Sequence, residues 1–287
     1  MRPPAWLIAS VLLLAPTPAL PQQPLTAQDV VARIKQNIGV PWTEPTVDTF
    51  KDGDSTARVT GIAVTMMATF DVLKRAAAQG ANLVITHEPT FFDHFDKLDV
   101  LQSEHDAVTA AKRAFIQEHH MVVVRMHDHW HRRHPEPMST DLAGRLGWDQ
   151  YRAGSEFLYR LPETTLADLA ATIRRRLPAP TLRVVGDSTL RVSKIGVTPG
   201  AAGFDMQRRA FRSDSVEVLV IGEGREWEIV EYAADAVTAG QKKALIILGH
   251  VPSEQDGMED FAHWLGTFVK EVPITFVPTR DPFWAPR

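Results

Sequence analysis

Residues 69–89 read TFDVLKRAAAQGANLVITHEP, and residues 229–252 read IVEYAADAVTAGQKKALIILGHVP. The two stretches share one grammar. Each opens with apolar residues at helical spacing, closes that helix with a glycine (Gly80, Gly240) and runs into a short, unbroken apolar strand. Each strand then delivers a histidine two residues before a proline: His87 before Pro89, and His250 before Pro252. A third instance lies between them, where a helix over 106–118 precedes Met121-Val122-Val123-Val124 and then His127. A strand that is apolar at every position is buried on both faces, as in a sheet covered by helices. Open sheets of that kind bind ligands beyond the carboxyl ends of their strands. Three histidines at three strand ends therefore predict an α/β fold with one shared pocket.

Outward from these stretches, the pattern predicts two similar α/β lobes, with mixed sheets flanked by helices and the pocket between them. The N-terminal lobe covers 25–150 and the C-terminal lobe 151–287. The first opens with a helix over 26–38, where Thr26 can cap, Asp29 sits in the first turn, and Val30, Ile34 and Ile38 repeat at helical spacing. The second contains a helix over 161–177 with Thr165 as a cap, and strands over 182–185, 194–197, 216–221 and 244–248. A last helix over 257–270 places Met258, Phe261, Leu265 and Phe268 on one face, which marks core.

Composition bounds the function. Hydrophobic residues at 44% and charged residues at 23% are ordinary for a globular chain of 287 residues, which is long enough to bury a substantial core. The formal net charge of −4 argues against duplex nucleic acid and anionic membrane surfaces as partners. Cysteine is absent, so disulfides, thiolate ligands, a thiol nucleophile and a lipoprotein anchor are excluded. Arg2 is the only charge in the first twenty residues, and the apolar run from Ala5 to Ala15 is too short to span a bilayer. With small residues at Thr17-Pro18-Ala19, this predicts a secretory signal over 1–19, and hence an exported protein, periplasmic or secreted, with no stable membrane insertion after cleavage. The alternative is an uncleaved anchor.

The chemistry gathers in a few places. His127-Asp128-His129-Trp130-His131 follows a buried strand, and neutral imidazole with carboxylate is the usual ligand set for zinc and manganese. The competing reading is a solvated loop. His87 and Glu88 are adjacent at a strand end and diverge, so each can hold a different ion of a close pair. Glu254 lies four residues after His250, either as a ligand aimed back at it or as a complement to the helix dipole.

Several of these segments resemble the Nif-three-like family, also called the type 2 GTP cyclohydrolase I or dinuclear-metal-centre hexameric family. Asn82 through Pro89 resembles its strand followed by His-His-Pro, and His127 to His131 lies where it has His-Thr-x-x-Asp. Gly222-Glu223 resembles its Gly-Glu motif, and Gly249-His250 through Glu254 its final Gly-His…Glu segment. The resemblance implies metal ligands at His87, Glu88, His131, His250 and Glu254. It departs from the family twice, with Glu88 at its second histidine and His131 at its aspartate, and the two exchanges keep three histidines and two carboxylates. Which ligand bridges the ions stays open, and His127, Asp128 or His129 can also enter the ligand set.

The functional expectation is an exported protein binding two divalent ions, Zn²⁺ or Mn²⁺ with iron as the alternative. It would be a metal-dependent hydrolase using a metal-bridged hydroxide on a small molecule. His127, His129 and Glu223 are the expected catalytic proton-handling groups, Phe91, Phe92, Trp130 and Trp227 candidate walls, and Arg132 and Arg133 candidate anion-steering groups. GTP is not carried over as substrate, since no glycine-rich phosphate loop is visible. The alternative is a non-enzymatic metal-binding or scaffold protein. The resemblance also implies a homo-oligomer, a ring or hexamer.

Overall fold

The computed structural model describes residues 24–283, so the expected signal segment over 1–19 lies outside the described residues. The first part of the chain contains α1 (Ala27–Asn37), β1 (Phe50–Asp52), β2 (Ile62–Thr65), α2 (Phe70–Ala78), β3 (Leu83–Thr86), α3 (Asp99–Ser103), α4 (Ala107–Glu118), β4 (Val122–Arg125), α5 (Asp128–His131) and α6 (Pro137–Leu146). There follow β5 (Leu158–Thr165), α7 (Leu166–Arg176), β6 (Arg183–Val185), β7 (Arg191–Thr198), α8 (Phe204–Arg212), β8 (Val218–Ile221), α9 (Glu231–Thr238) and β9 (Ala244–Ile247). The chain closes with α10 (His250–Leu265) and β10 (Ile274–Phe276).

Two five-stranded mixed sheets result, ordered β1-β4-β3-β2-β10 and β5-β7-β8-β9-β6. Each has a parallel centre and antiparallel pairing at an edge: β1 on β4 in the first, and β5 on β7 and β6 on β9 in the second. Every residue of β2, β3, β4, β8 and β9 is buried, as unbroken apolar runs require. Burying each Val, Leu or Ile of these strands stabilises by about 1.5–3 kcal/mol, so the strand ends are rigidly placed. Among the described residues no helix is long and apolar enough to cross a membrane.

Local chemistry explains the helix starts. Thr26 and Asp29 form a reciprocal capping box, and Thr69, Asp106 and Thr165 each accept an amide of their own first turn. The helix expected from 161 begins instead at Leu166. Tyr159 and Leu161 are buried at alternate positions, and Pro162 sits among them, so the preceding residues form the edge strand β5. The last helix starts earlier than expected, at His250, because proline is tolerated in a first turn where its missing N–H would be unpaired anyway.

The lobe boundary also differs from 151–287. α10 buries Met258, Phe261 and Leu265 in the core of the first sheet, beside Ile34, Ile62 and Trp130, and β10 pairs in parallel with β2. The second sheet is thus complete by residue 247, and the chain then returns to the first lobe. The return helix crosses α6 closely at Gly257, where a Cβ would stand 2.2 Å from the Met138 sulfur. A side chain there would have to displace the Met138 sulfur, with the Met138 Cα 3.3 Å away.

Candidate metal centre

β3 ends at Thr86 and hands over to His87 and Glu88; β4 ends at Arg125 and hands over to His127 and α5. Asp48 shapes the second handover. Its carboxylate accepts the backbone amides of His127, Asp128 and His129 at 2.6, 3.0 and 2.9 Å, which caps α5. In that helical turn His127 and His131, four apart, share a face, while His129 points elsewhere. His129 is fully buried, with Nδ1 2.6 Å from Asp48 Oδ2, Nε2 accepting the Thr43 amide at 3.0 Å, and its ring stacked on Trp42. Both of its nitrogens are committed, so the structure does not bring it to the site where a catalytic role was expected. The dense run of histidines gave no sign of the helical turn that separates them.

The remaining residues converge. His87 Nε2 and His131 Nε2 are 3.1 Å apart. Glu254 reaches toward both, with Oε2 3.8 Å from His87 and Oε1 3.9 Å from His131. His250 Nε2 lies 3.0 Å from Glu254 Oε2 and 3.3 Å from Glu88 Oε1, and His127 Nε2 lies 3.8 Å from that same Glu88 oxygen. Among the described residues, two sets have ligand atoms close enough to share one ion: His87, His127 and His131, and His87, Glu88 and Glu254. His127, expected to handle protons or to join the ligand set, falls within a ligand group. Glu223 stands at the edge, 3.6 Å from His250 Nδ1.

The hydrogen bonds test whether these residues fit a metal ion. His87 Nδ1 donates to the Met126 carbonyl at 3.1 Å, which can only accept, so the neutral ring carries its lone pair on Nε2. His131 Nδ1 is held by Glu136 at 2.9 Å and His127 Nδ1 by Asp128 at 2.9 Å, while His250 Nδ1 faces Glu223. In all four rings the outer nitrogen is held by, or faces, an acceptor and the inner one points at the cluster, which is how metal-binding histidines are oriented. Two bonds of about 2.0–2.1 Å at a tetrahedral angle put donor atoms roughly 3.3 Å apart. The 3.1 Å between His87 and His131 and the 3.3 Å between His250 and Glu88 match that spacing. The donor set fits a divalent cation.

The electrostatics agree. Burial pulls the His250 pKa down, but Glu223, Glu254 and Glu88 outweigh it and hold the ring well above the ordinary histidine value. Burial likewise opposes protonation of His131, and Glu136 and Glu254 overcome it. His87 goes the other way: full burial, then the neighbouring imidazoles, keep it well below the ordinary value and neutral. Burial pushes Glu88 up, yet His250, His127 and Arg125 bring it down to about 2. The field favours positive charge among these carboxylates, with neutral imidazole at the deepest point.

Backbone and cleft complete the setting. Gly200, at φ +60°, lies so close to Glu254 that a Cβ would stand 2.2 Å from Oε1, and the Ser253 hydroxyl accepts its amide at 3.0 Å. Ser253 therefore braces the His250 turn, its hydroxyl also donating to the His250 carbonyl at 2.7 Å. His250 and Glu223 form part of the wall of a cleft of about 1240 Å³, with Phe204, Met206, Val251 and Pro252. Of the expected walls, Phe91 and Trp130 are core, whereas Phe92 and Trp227 are exposed. Arg133 lies over Trp130 and Trp264, and Arg132 bonds the Thr43 hydroxyl, so neither lines this cleft. Arg125 and Glu136, which touch Glu88 and His131, were not anticipated; the one signal was a charged residue ending the Val122-Val123-Val124 run.

The sequence pattern of Duf34/NIF3 (NGG1p interacting factor 3) matches residues 46–282, most of the chain. The chain belongs to the Duf34/NIF3 family. The NIF3 fold is shared with solved structures. The Staphylococcus aureus hypothetical protein SA1388 superposes with a TM-score of 0.70 at 18% identity, over 92% of this chain and 100% of that one. The Bacillus cereus protein related to NIF3 gives 0.72 at 13% identity, over 92% and 100%. Reduced HcgD from Methanocaldococcus jannaschii gives 0.63 at 13% identity, over 87% and 97%. No curated protein matches by sequence. In this NIF3 chain the exchanges noted in the sequence come with dedicated partners, Arg125 against Glu88 and Glu136 against His131.

Proposed function

We propose that this NIF3-family protein is an exported, dinuclear metal-dependent hydrolase acting on a small molecule. The observation that carries the reading is the orientation of His87, His127, His131 and His250, each with Nε2 turned inward, around a glutamate that offers both oxygens. His87, His127 and His131 form one group whose ligand atoms are close enough to share an ion, and His87, Glu88 and Glu254 form another, with His250 Nε2 beside Glu88 and Glu254; these residues would hold the ions. Two bound ions, zinc or manganese with iron as the alternative, would supply Lewis-acid activation of water and of a substrate oxygen. His250 and Glu223 open on the cleft, which leaves room for a substrate on that side. Glu223 is half-exposed there and faces His250 Nδ1, so it can accept a proton from a group in the cleft and pass it to solvent.

The competing reading, a metal-binding or scaffold protein without catalysis, draws on the depth of His87 and Glu254, both shut away from solvent. Elemental mass spectrometry of the purified protein, followed by a screen of phosphoesters, lactones, cyclic amides and glycosides, separates the two. About two equivalents of metal with turnover of one class supports the hydrolase; metal without turnover of any class leaves the scaffold reading; no metal after loading with zinc and manganese ends both. Export rests on the sequence of residues 1–19 and is tested by fractionating cells that express the chain with and without them. Assembly into a homo-oligomer is tested by light scattering.

A further inference from the structure

We propose that Arg125 is a positioning residue of this centre: it holds one oxygen of Glu88, so that the other oxygen is the one turned toward the imidazoles of the cluster. The proposal rests on the metal-binding reading above. Arg125 is fully buried at the end of β4, and every donor group of its guanidinium finds an acceptor in the segment that carries the ligands. Nε donates to the His87 carbonyl at 2.8 Å, Nη2 to Glu88 Oε2 at 3.2 Å, and Nη1 to the His94 carbonyl at 2.5 Å. The planar fork fixes these three directions relative to one another.

Glu88 is thereby divided. Oε2 is held by Arg125, and Oε1 lies 3.3 Å from His250 Nε2 and 3.8 Å from His127 Nε2. An unrestrained carboxylate can turn freely; this one is held with Oε1 toward the two imidazoles. The far end of the clamp is equally fixed. His94 sits in a loop whose Asp96 accepts the Thr90 and Phe91 amides at 2.6 and 2.8 Å and pairs with buried Lys51 at 3.2 Å. Phe92 and Asp96 hold positive φ in that loop, at 66° and 56°, a conformation that persists only where the surroundings enforce it. Arg125 thus joins a braced loop to the orientation of a ligand.

Chelator-competition titration with zinc on the full chain tests this, using wild type, Glu88→Gln, Arg125→Lys and the double variant. If Arg125 positions residue 88, it claims the amide oxygen of the glutamine and leaves the NH₂ facing the ion. Zinc binding then weakens by about 10–100-fold in Glu88→Gln. Adding Arg125→Lys frees the amide to turn, so the loss in the double variant is smaller than the product of the two single losses, even though Arg125→Lys also releases the His87 carbonyl. Losses that multiply in the double variant would overturn the proposal. Should Arg125→Lys not fold, Glu88→His decides, because it leaves Arg125 buried without its carboxylate. Its chelator-treated form should melt below chelator-treated wild type, and equal melting would overturn the proposal. A wild type that takes up no zinc ends the metal reading instead, and the melting comparison still judges Arg125.

Discussion

His87 Nε2 and His131 Nε2 face each other at 3.1 Å while the Nδ1 of each is held by an acceptor, the Met126 carbonyl for one and Glu136 for the other. With its pKa raised, His131 can donate its Nε2 proton to the lone pair of neutral His87, and a cation between the rings would take that proton's place. Truncating His87 to alanine is expected to reduce bound metal to one equivalent or less. Replacing Glu136 by leucine should weaken binding by about 10–100-fold, since His131 loses the group that orients it. It should also cost about 1 kcal/mol of stability, because the Glu136 carboxylate accepts the Met138 and Ser139 amides as the cap of α6. Elemental analysis and melting curves read the two effects separately; unchanged metal content in both variants would refute the assignment.

Removing metal should loosen the whole protein, because the ligands come from elements far apart in sequence. An ion present at a hundred times its Kd stabilises the folded state by about 2.7 kcal/mol. For a chain of this size that is roughly 5 °C in melting temperature. A chelator should lower the melting point by that order, and a shift of less than a degree would count against a cation at this place.

His129 provides a contrast. Its ring bonds Asp48 and the Thr43 amide inside the core. His129→Ala should therefore lower stability by about 1–3 kcal/mol, the cost of leaving buried polar partners unpaired. Metal stoichiometry should stay at the wild-type value. A fall in bound metal with unchanged melting would place His129 back among the site residues.

Gly200→Ala is expected to act in the opposite sense. Its added Cβ would displace Glu254, and alanine at φ +60° costs about 1–2 kcal/mol by itself. Metal affinity should fall at least about tenfold, by loss of the oriented carboxylate. Isothermal titration with zinc measures it, and wild-type affinity would show that Glu254 takes no part.

The α6–α10 crossing predicts a pH dependence. Burial, then the neighbouring carboxyl of Asp260, pushes Asp141 up to about 8, and Asp256 is raised for the same leading reason. A carboxyl raised in the folded state binds a proton that the unfolded chain has released. Its stabilising effect is complete below the unfolded value near 4 and is lost as the pH rises through 8. Asp141→Asn should melt higher than wild type at pH 9 and alike at pH 4. Parallel melting curves for the two proteins across that range would refute the prediction.

The strand ends were legible because their signal is local: an apolar run, a glycine before it and a histidine after it. Leu83–Thr86 and Ala244–Ile247 fall where that signal lies. β1, β2 and β10 were not anticipated, since they are short and their pairing partners lie far along the chain. The ligand residues were legible by chemical type, but their partners were not. Arg125 reads as a strand residue, and Glu136 as a residue before a helix, until folding brings them to Glu88 and His131. His129 was misplaced because alternation along a loop and rotation about a helical turn put every second residue in opposite places.

The return of the chain to its first sheet bears on the order in which the fold can form as the chain emerges, N-terminus first, from the ribosome or the export channel. β10 lies beside β2, so that sheet has a bare edge until residues 274–276 emerge, long after β2 itself. The second sheet, complete by residue 247, has all its strands available earlier and can assemble as a unit while the first still waits. His250 and Glu254 emerge after it. The assembled cluster cannot exist on a nascent chain shorter than that, so on the metal-binding reading an ion would be acquired only after most of the chain has emerged.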